Sequence, residues 1–161
     1  MAPEADLLTT LGDLIEVSPA GFAIGLHIRF TTPTFMFQTY PRAWVEEYSR
    51  KGLLARDPTV TWAFANTGRI SWADLEPSDT DRVFPQAAEH GLRHGLVVSL
   101  LREGSRSLGG FARNDRPFEE EEAVRIEGFL CRLHTATAAA RTLPDDLRDA
   151  LHRLSVVFTH P

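Results

Sequence analysis

Cysteine is almost absent from this chain of 161 residues, because Cys131 is the only one. A single thiol forms no intrachain disulfide and supplies too few ligands for a cysteine-based zinc site. Cys131 also lies in an apolar helical pattern, which is typical of a small buried hydrophobic residue. We therefore expect neither a disulfide framework nor a structural metal.

Long apolar runs, a leader sequence and an excess of positive charge are also missing. The N-terminus lacks the basic stretch and apolar stretch of a signal peptide. No apolar run approaches the ~20 residues that a membrane helix needs. The formal net charge is −5, whereas a free-standing DNA-binding domain usually carries a basic face. We expect a cytoplasmic protein without membrane contact and without direct binding to nucleic acid.

What is present suits an ordinary globular domain. Hydrophobic residues make up 43% of the chain and charged residues 24%, and this length fits a single core. No repeat, low-complexity linker or composition shift divides the sequence. We expect one domain over residues 1–161, with no DNA-binding domain beside it.

The spacing of apolar residues and turn signals predicts alternating helices and strands. The predicted helices cover residues 5–16, 41–51, 57–66, 79–90 and 118–141, and a short helical stretch starts at Pro144. Pro85 implies either a kink in its helix or a later start. The predicted strands cover residues 22–30, 34–39, 92–101 and 108–113, with a short extended piece at 69–72. This order favours an α/β fold in which a central antiparallel sheet carries helices on both faces.

Aromatic side chains with polar tips are concentrated in one segment. It reads Tyr40-Pro41-x-x-Trp44-x-x-x-Tyr48, followed by Asp57-Pro58-Thr59 and then by Trp72. Tyrosine, tryptophan and aspartate side chains form hydrogen bonds while standing in an apolar wall. A pocket for a small amphipathic molecule needs this mixture of apolar lining and a few polar groups.

These motifs, followed by Ser71-Trp72 and Gly91-Leu92-x-x-Gly95-Leu96, resemble the ligand-binding domain of LuxR-type quorum-sensing regulators. The resemblance spans roughly residues 35–138. It implies an α/β/α sandwich of the PAS or GAF type that encloses an acyl-homoserine lactone between the sheet and one helical layer. It implies no cofactor other than this small-molecule signal.

The resemblance assigns the polar head of the ligand to four residues. It implies that the Tyr40 hydroxyl bonds the acyl-amide carbonyl and that the Trp44 indole N–H bonds the lactone carbonyl. The carboxylate of Asp57 would accept the amide N–H, and Trp72 would stack against the lactone ring. Each residue also has a purely structural interpretation, since Asp57 before a proline is a good helix N-cap and the aromatic residues could be core side chains.

Four more residues match positions around the ligand. Thr59 could donate a second hydrogen bond to the head group, or belong only to the first turn of a helix. Tyr48 matches a tyrosine of the acyl channel whose packing matters more than its hydroxyl. Phe84 and Ala87 would lie on the helix that covers the pocket, although alanine is also simply a good helix former.

Two sheet positions complete the predicted ligand-binding set. Gly95 matches the entry into the return strands, where glycine permits close backbone approach, although a strand kink explains it equally well. Ala112 stands where many members carry a hydroxyl that faces the ligand amide. One hydrogen bond to the head group is therefore expected to be missing.

We predict that the chain is the sensor domain of a quorum-sensing regulator and is not an enzyme. An alternative is a homologue without a DNA-binding head that inhibits a full-length regulator as a heterodimer. Residues 118–141 are the expected dimer surface in either case. A lactone or amide hydrolase with Asp57 as base is a third hypothesis that lacks a nucleophile. A metal site at His90 and His94 is not expected, because Gly91 interrupts their helical spacing and no third ligand is near.

Overall fold

A six-stranded antiparallel sheet forms the centre of the molecule. The computed structural model describes residues 3–139, 142–154 and 156–159. Within them the strand order is β3-β4-β5-β1-β2-β6. The strands are β1 (Gly21–Arg29), β2 (Thr32–Gln38), β3 (Gly68–Ser71), β4 (His94–Arg102), β5 (Ser105–Arg113) and β6 (Val157–Thr159). The predicted antiparallel sheet is confirmed.

Helices cover both faces of this sheet, as predicted. They are α1 (Pro3–Val17), α2 (Arg42–Arg50), α3 (Pro58–Ala65), α4 (Trp72–Leu75), α5 (Val83–Ala88), α6 (Glu120–Thr137) and α7 (Asp145–Arg153). Short 3-10 turns lie at Leu53–Arg56 and Glu76–Ser78. Helices α1, α6 and α7 pack on one face around a large apolar core, while α2 to α5 cover the other face around a smaller, aromatic cluster.

Strand β1 shows how the sequence separates the two faces. Phe22, Ile24 and Leu26 are fully buried in the large core. Ala23 and Gly25 alternate with them, so they point to the opposite face. The bulky residues of this strand thus fill the core beneath α1 and α6, and its small residues leave space beneath α2 to α5.

Helix α6 is fixed by its N-terminal cap and by its apolar face. Glu119 and Glu122 form a capping box, in which each side chain bonds the backbone N–H of the other residue. Ile126, Leu130 and Leu133 are fully buried, as the predicted helical spacing requires. The helix ends at Thr137, whereas its predicted end near Arg141 lies outside the described residues.

Two predicted segments have different bounds in the structure. The helix expected over 79–90 starts only at Val83, so Pro85 lies in its first turn, where a missing N–H is tolerated. Both carboxylate oxygens of Asp79 accept backbone N–H groups, from Val83 and Phe84. Trp72 does not extend the strand of residues 69–72, because Ser71 caps the short helix α4 and Trp72 is its first residue.

The connections between paired strands are tighter than predicted. The turn expected over residues 103–107 contains only Glu103 and Gly104, both with positive φ (51° and 76°). Such dihedral angles suit a two-residue hairpin turn that matches the twist of the strands. Strand β2 likewise begins at Thr32, and β6, which pairs with β2, was not expected from the sequence.

Candidate functional site

A cavity of about 340 Å³ lies between the sheet and helices α2 to α5. Its floor comes from strands β1, β2, β4 and β5, and its roof from the helices and the 3-10 turn at Leu53–Arg56. Most lining side chains are apolar, and two of the polar ones, Tyr48 and Thr59, bond Asp57. The helical and loop residues of the lining are Tyr40, Trp44, Val45, Tyr48, Ser49, Leu54, Asp57, Thr59, Val60, Ala63, Phe64, Trp72, Val83, Phe84 and Ala87.

Asp57 is the hydrogen-bonding centre of this cavity. It caps α3 with Oδ1, which accepts the backbone N–H of Thr59 at 2.9 Å and the hydroxyl of Thr59 at 2.7 Å. Its Oδ2 accepts the hydroxyl of Tyr48 at 2.8 Å. The expectation for Tyr48 concerned mainly its packing, and the structure adds a hydrogen bond from its hydroxyl to the carboxylate.

Burial dominates the electrostatics around Asp57, which is only 7% exposed. Desolvation raises the pKa of this carboxyl, and the hydrogen bonds from Thr59 and Tyr48 offset part of that rise. Burial, and then the negative charge of Asp57, raise the pKa of Tyr40 and of Tyr48. Both phenols are therefore neutral hydrogen-bond donors that face one buried carboxylate.

Tyr40 reaches the cavity from a position just before α2. Tyr40 and Trp44 are four residues apart, but Pro41 is the N-cap of α2, so Tyr40 lies outside the helix and does not share a helical face with Trp44. The Tyr40 hydroxyl instead extends across to β5. A Cβ atom added at Gly110 would lie 3.0 Å from this hydroxyl oxygen. The absence of a side chain at Gly110 thus leaves the space that the Tyr40 hydroxyl occupies.

Trp44 is 4% exposed and packs edge-on against Tyr48, with ring centroids 5.5 Å apart. On its other side the His90 ring lies 5.5 Å away. His90 Nε2 lies 3.4 Å from Glu47 Oε1. Because Glu47 belongs to α2 and His90 follows α5, these contacts join the two roof helices next to Trp44.

Trp72 and Phe84 form the aromatic wall at another side of the cavity. Their rings stack with centroids 5.3 Å apart and an interplanar angle of 22°. Trp72 also lies against the backbone of Gly95, where an added Cβ atom would meet three indole atoms at 1.9–2.5 Å. Its buried indole nitrogen has no hydrogen-bond partner within the described part of the chain. Gly95 therefore serves the site by making room for Trp72.

Eight of the ten predicted ligand-binding residues line one cavity, and two do not. The two exceptions are Gly95, which lies behind Trp72, and Ala112. Ala112 is fully buried in the same aromatic cluster. Gly110, two residues earlier on the same face of β5, is the lining residue next to the Tyr40 hydroxyl. Position 110 thus lies next to the Tyr40 hydroxyl, whereas position 112 does not line the cavity.

Sequence reasoning missed the floor of the cavity. The floor residues lie on four strands and are mostly small or flexible. They are Ala23, Gly25, Ile28, Pro33, Met36, Gln38, Val97, Leu108, Gly109 and Gly110, with Thr31 in the turn between β1 and β2. The alternation of Ala23 and Gly25 with Phe22, Ile24 and Leu26 was the available signal, because small residues on one face of a central strand leave space above it.

Across residues 3–139, 142–154 and 156–159, no group of three or more His, Cys, Asp or Glu side chains could hold a metal ion. None of the helices in these ranges combines the length and the apolar character that crossing a membrane requires.

Comparison with known families and relatives agrees with the sequence motifs. The family model described as autoinducer binding domain matches residues 23–140. The regulatory protein SdiA of Escherichia coli is 37% identical over 83 residues, which are 51% of this chain and 34% of SdiA. The quorum-sensing regulator RhlR of Pseudomonas aeruginosa is 28% identical over 117 residues, which are 66% of this chain and 48% of RhlR. The matched segments thus span about a third to a half of these relatives.

Solved structures show the same fold. SdiA in complex with octanoyl-rac-glycerol superimposes with a TM-score of 0.64 at 20% identity, covering 90% of this chain and 64% of the SdiA chain. CepR2 of Burkholderia cenocepacia, an N-acylhomoserine lactone dependent LuxR-family transcription factor, gives a TM-score of 0.55 at 19% identity, covering 88% and 97% of the two chains.

Proposed function

The chain belongs to the autoinducer-binding domains of LuxR-type quorum-sensing regulators, and on this premise we propose that its cavity binds an acyl-homoserine lactone. This family consists of non-enzymatic regulatory domains. The hydrolase hypothesis is therefore set aside. What we propose beyond the family is the head group, the residues that hold it and the position of the acyl chain.

The buried carboxylate of Asp57 is the observation on which this proposal rests. It is a strong acceptor in an apolar wall, and among the described residues its Oδ2 accepts one hydrogen bond, from Tyr48. A carboxylate oxygen has two lone pairs, so Oδ2 can also accept the amide N–H of an acyl-homoserine lactone. A hydrogen bond to a charged group contributes about 1.5–3 kcal/mol, more than a neutral one.

The donors around Asp57 match the carbonyl oxygens of such a ligand. In our proposal the Tyr40 hydroxyl donates to the acyl-amide carbonyl, and the Trp44 indole N–H donates to the lactone carbonyl. Trp72 packs against the lactone ring. Thr59 already donates to Asp57 through its hydroxyl, so we propose that it orients the carboxylate rather than contacting the ligand.

The rest of the cavity suits an acyl chain. The rings of Tyr48 and Phe84 and the side chain of Ala87 contribute to its apolar roof, and the small residues of β1 and β5 form its floor. SdiA has been solved with octanoyl-rac-glycerol, an acyl chain on a head group that is not a lactone. For this chain, octanoylglycerol is therefore a useful competitor that separates recognition of the acyl chain from recognition of the lactone.

Two measurements test the proposed function. First, mass spectrometry of an organic extract of the purified protein should detect a co-purifying acyl-homoserine lactone. Second, titration calorimetry should show that Trp44→Phe loses about tenfold in lactone affinity, which corresponds to one hydrogen bond of ~1.4 kcal/mol. Trp62→Phe is the matched control, because Trp62 is outside the cavity lining. Equal losses in both variants, or an empty extract together with no titration signal, would contradict the proposal.

A second proposal concerns the protein partner. We propose that α6 pairs with a second copy of the domain or with a full-length regulator of the same family. The support is the exposed side of α6, where Val124 is 55% exposed and Cys131 is partly exposed. A pull-down with tagged protein from the source cell, followed by identification of the captured regulator, distinguishes the inhibitory heterodimer from a homodimer.

A further inference from the structure

The hairpin of β1 and β2 lines the cavity several residues along β1 from Ala23, which pairs with Gly110 beside the Tyr40 hydroxyl. Ile28, Thr31 and Pro33 line the cavity there. Strand β1 runs from Gly21, whose added Cβ atom would lie 3.0 Å from the Tyr40 ring, to this hairpin. At about 3.3 Å per residue, the five steps along β1 from Ala23 to Ile28 span roughly 16 Å. An acyl chain with its head group at Asp57 would point toward Ile28.

Ile28 faces the cavity only because β1 is irregular. Ala23 and Gly25 face the cavity, so the period of two in a regular strand would turn Ile28 to the opposite face. Three steps along β1, from Gly25 to Ile28, correspond to two steps along β5, from Leu108 to Arg106. This β-bulge inserts one residue and brings Ile28 back to the cavity side.

Ile28 and its neighbour Pro33 fill the space above Gly25. The Cδ1 atom of Ile28 would lie 3.2 Å from a Cβ atom added at Gly25, and the Cβ atom of Pro33 would lie 3.3 Å from it. The two residues are also directly paired across β1 and β2. Their side chains therefore form a wall across the floor of the cavity, and the open part of the floor ends at Gly25.

His27 holds the bulge in place. It has a φ of 52°, a left-handed conformation that costs energy in any residue other than glycine. Its backbone N–H donates to Ser107 Oγ at 3.0 Å, and its ring nitrogens lie 2.7 Å from Ser105 Oγ and 2.9 Å from the carbonyl oxygen of His134. The ring also packs on that of His134, with centroids 4.2 Å apart. These contacts tie the bulge to β5 and α6.

We propose that Ile28 sets the longest acyl chain that this domain accepts, and that His27 is the positioning residue that turns Ile28 into the cavity. The inference rests on the proposed function, since it assigns a selective role to the far end of the same site. It also gives α6 a part in ligand selection, because His134 supplies one of the anchors of the bulge.

Titration calorimetry with a series of saturated acyl-homoserine lactones tests the role of Ile28. Each buried methylene should tighten binding about fourfold until the chain reaches Ile28, after which affinity should fall. Ile28→Ala should move this optimum to a longer chain, and Ile28→Phe should move it to a shorter one. The shortest lactones should bind all three proteins alike. Phe30→Ala is the control, because Phe30 is fully exposed on the same hairpin.

His27→Gly tests the positioning role. Glycine tolerates the positive φ, so the backbone can keep its path while the ring anchors are lost. Beyond the optimum acyl length, we expect the variant to lose at least threefold less affinity than the parent does. Its affinity for the shortest chains should be unchanged. A profile identical to that of the parent would remove His27 from this role.

The outcomes separate this inference from the proposed function. If the parent binds lactones but neither Ile28 variant moves the optimum, the role of Ile28 is wrong and the lactone site stands. If no lactone of any length binds the parent, the proposed function and this inference both fail.

Discussion

The hydroxyl of Tyr48 donates a 2.8 Å hydrogen bond to Oδ2 of Asp57 across the polar end of the cavity. The two residues are separated by the end of α2 and by the 3-10 turn at Leu53–Arg56. Tyr48 therefore both lines the cavity and holds the carboxylate of Asp57 in place. Since burial raises the pKa of Asp57, each donor that reaches this carboxylate helps to keep it ionised.

Tyr48→Phe should therefore affect ligand binding through Asp57. The variant keeps the ring and its edge contact with Trp44, but removes one donor to a buried carboxylate. We expect lactone affinity to fall about tenfold and the free energy of unfolding to fall by ~1 kcal/mol. Calorimetric titration and urea unfolding measure the two effects. Unchanged affinity would show that only the ring of Tyr48 matters.

Asp57→Asn should separate the cap from the ligand contact. Asparagine caps helices about as well as aspartate, so α3 should keep its N-terminus and the unfolding free energy should change by less than ~1 kcal/mol. The new NH2 group would face the amide N–H of the ligand and leave a buried donor unpaired, at ~1–3 kcal/mol. We expect a loss of at least tenfold in lactone affinity. Binding as tight as that of the parent would mean that Asp57 is only a cap.

Gly95→Ala should displace Trp72, whose indole lies against residue 95. Its Cβ atom would lie within 2.5 Å of three Trp72 indole atoms, so the indole has to move from its place beside Phe84. Overpacking of this kind costs about 1–3 kcal/mol, and the displaced ring should also lower lactone affinity. Gly12→Ala is the control in α1, because an added Cβ atom meets nothing within 4 Å there and alanine is the better helix former. The two variants should shift the melting temperature in opposite directions.

The pH dependence of stability should include a contribution from His134. This side chain is 5% exposed, and burial, followed by the charges of His27 and Arg102, lowers its pKa below the usual 6.5. Below about pH 6.5 the unfolded chain therefore binds more protons than the folded one at this residue, so the unfolding free energy falls as the pH falls. The contribution is fully present above that pH.

Urea unfolding between pH 7 and pH 5 measures this contribution. His134→Asn removes the titrating ring but keeps a polar atom that can reach Ser107, which lies 2.6 Å from His134 Nδ1. The variant should lose less stability on acidification than the parent does. His152→Asn, at an exposed position on α7, should leave the slope unchanged. Parallel curves for the parent and His134→Asn would show that His134 is not responsible.

Local signals in the sequence predicted most of the fold. Asp57 followed by Pro58 marks the start of α3, because the aspartate accepts the free N–H of Thr59 and the proline needs no acceptor. Alternation in Phe22 to Leu26 identifies β1 in the same way. Strand β6 could not be foreseen, since it is three residues long and depends on pairing with β2.

The candidate site was predictable in composition but not in geometry. The aromatic residues and Asp57 could be assembled from motifs, because their order along the chain resembles a known family. Three features depend on contacts distant in the sequence and left no local signal. They are the bulge at His27, the proximity of Gly110 to Tyr40, and the support of Trp72 by Gly95.

The oligomeric state is expected to depend on the apolar residues that α6 leaves exposed. Ile126, Leu130 and Leu133 are fully buried within the domain. Val124, together with part of Cys131, is what the described part of α6 offers to a partner. We still expect a homodimer, because the backbone at Gly128 is open between these two residues and lets a second helix approach closely.

Sedimentation at micromolar protein concentration, with and without lactone, measures this association. Val124→Glu should shift the parent dimer to monomer, since a buried interface does not accommodate an unpaired carboxylate. Lactone affinity should not change, because Val124 does not line the cavity. Leu101→Glu is the matched control, as Leu101 is 50% exposed on β4, away from α6. A parent that sediments as an 18.0 kDa monomer under both conditions would remove the homodimer, and the exposed side of α6 would then have to serve a different partner.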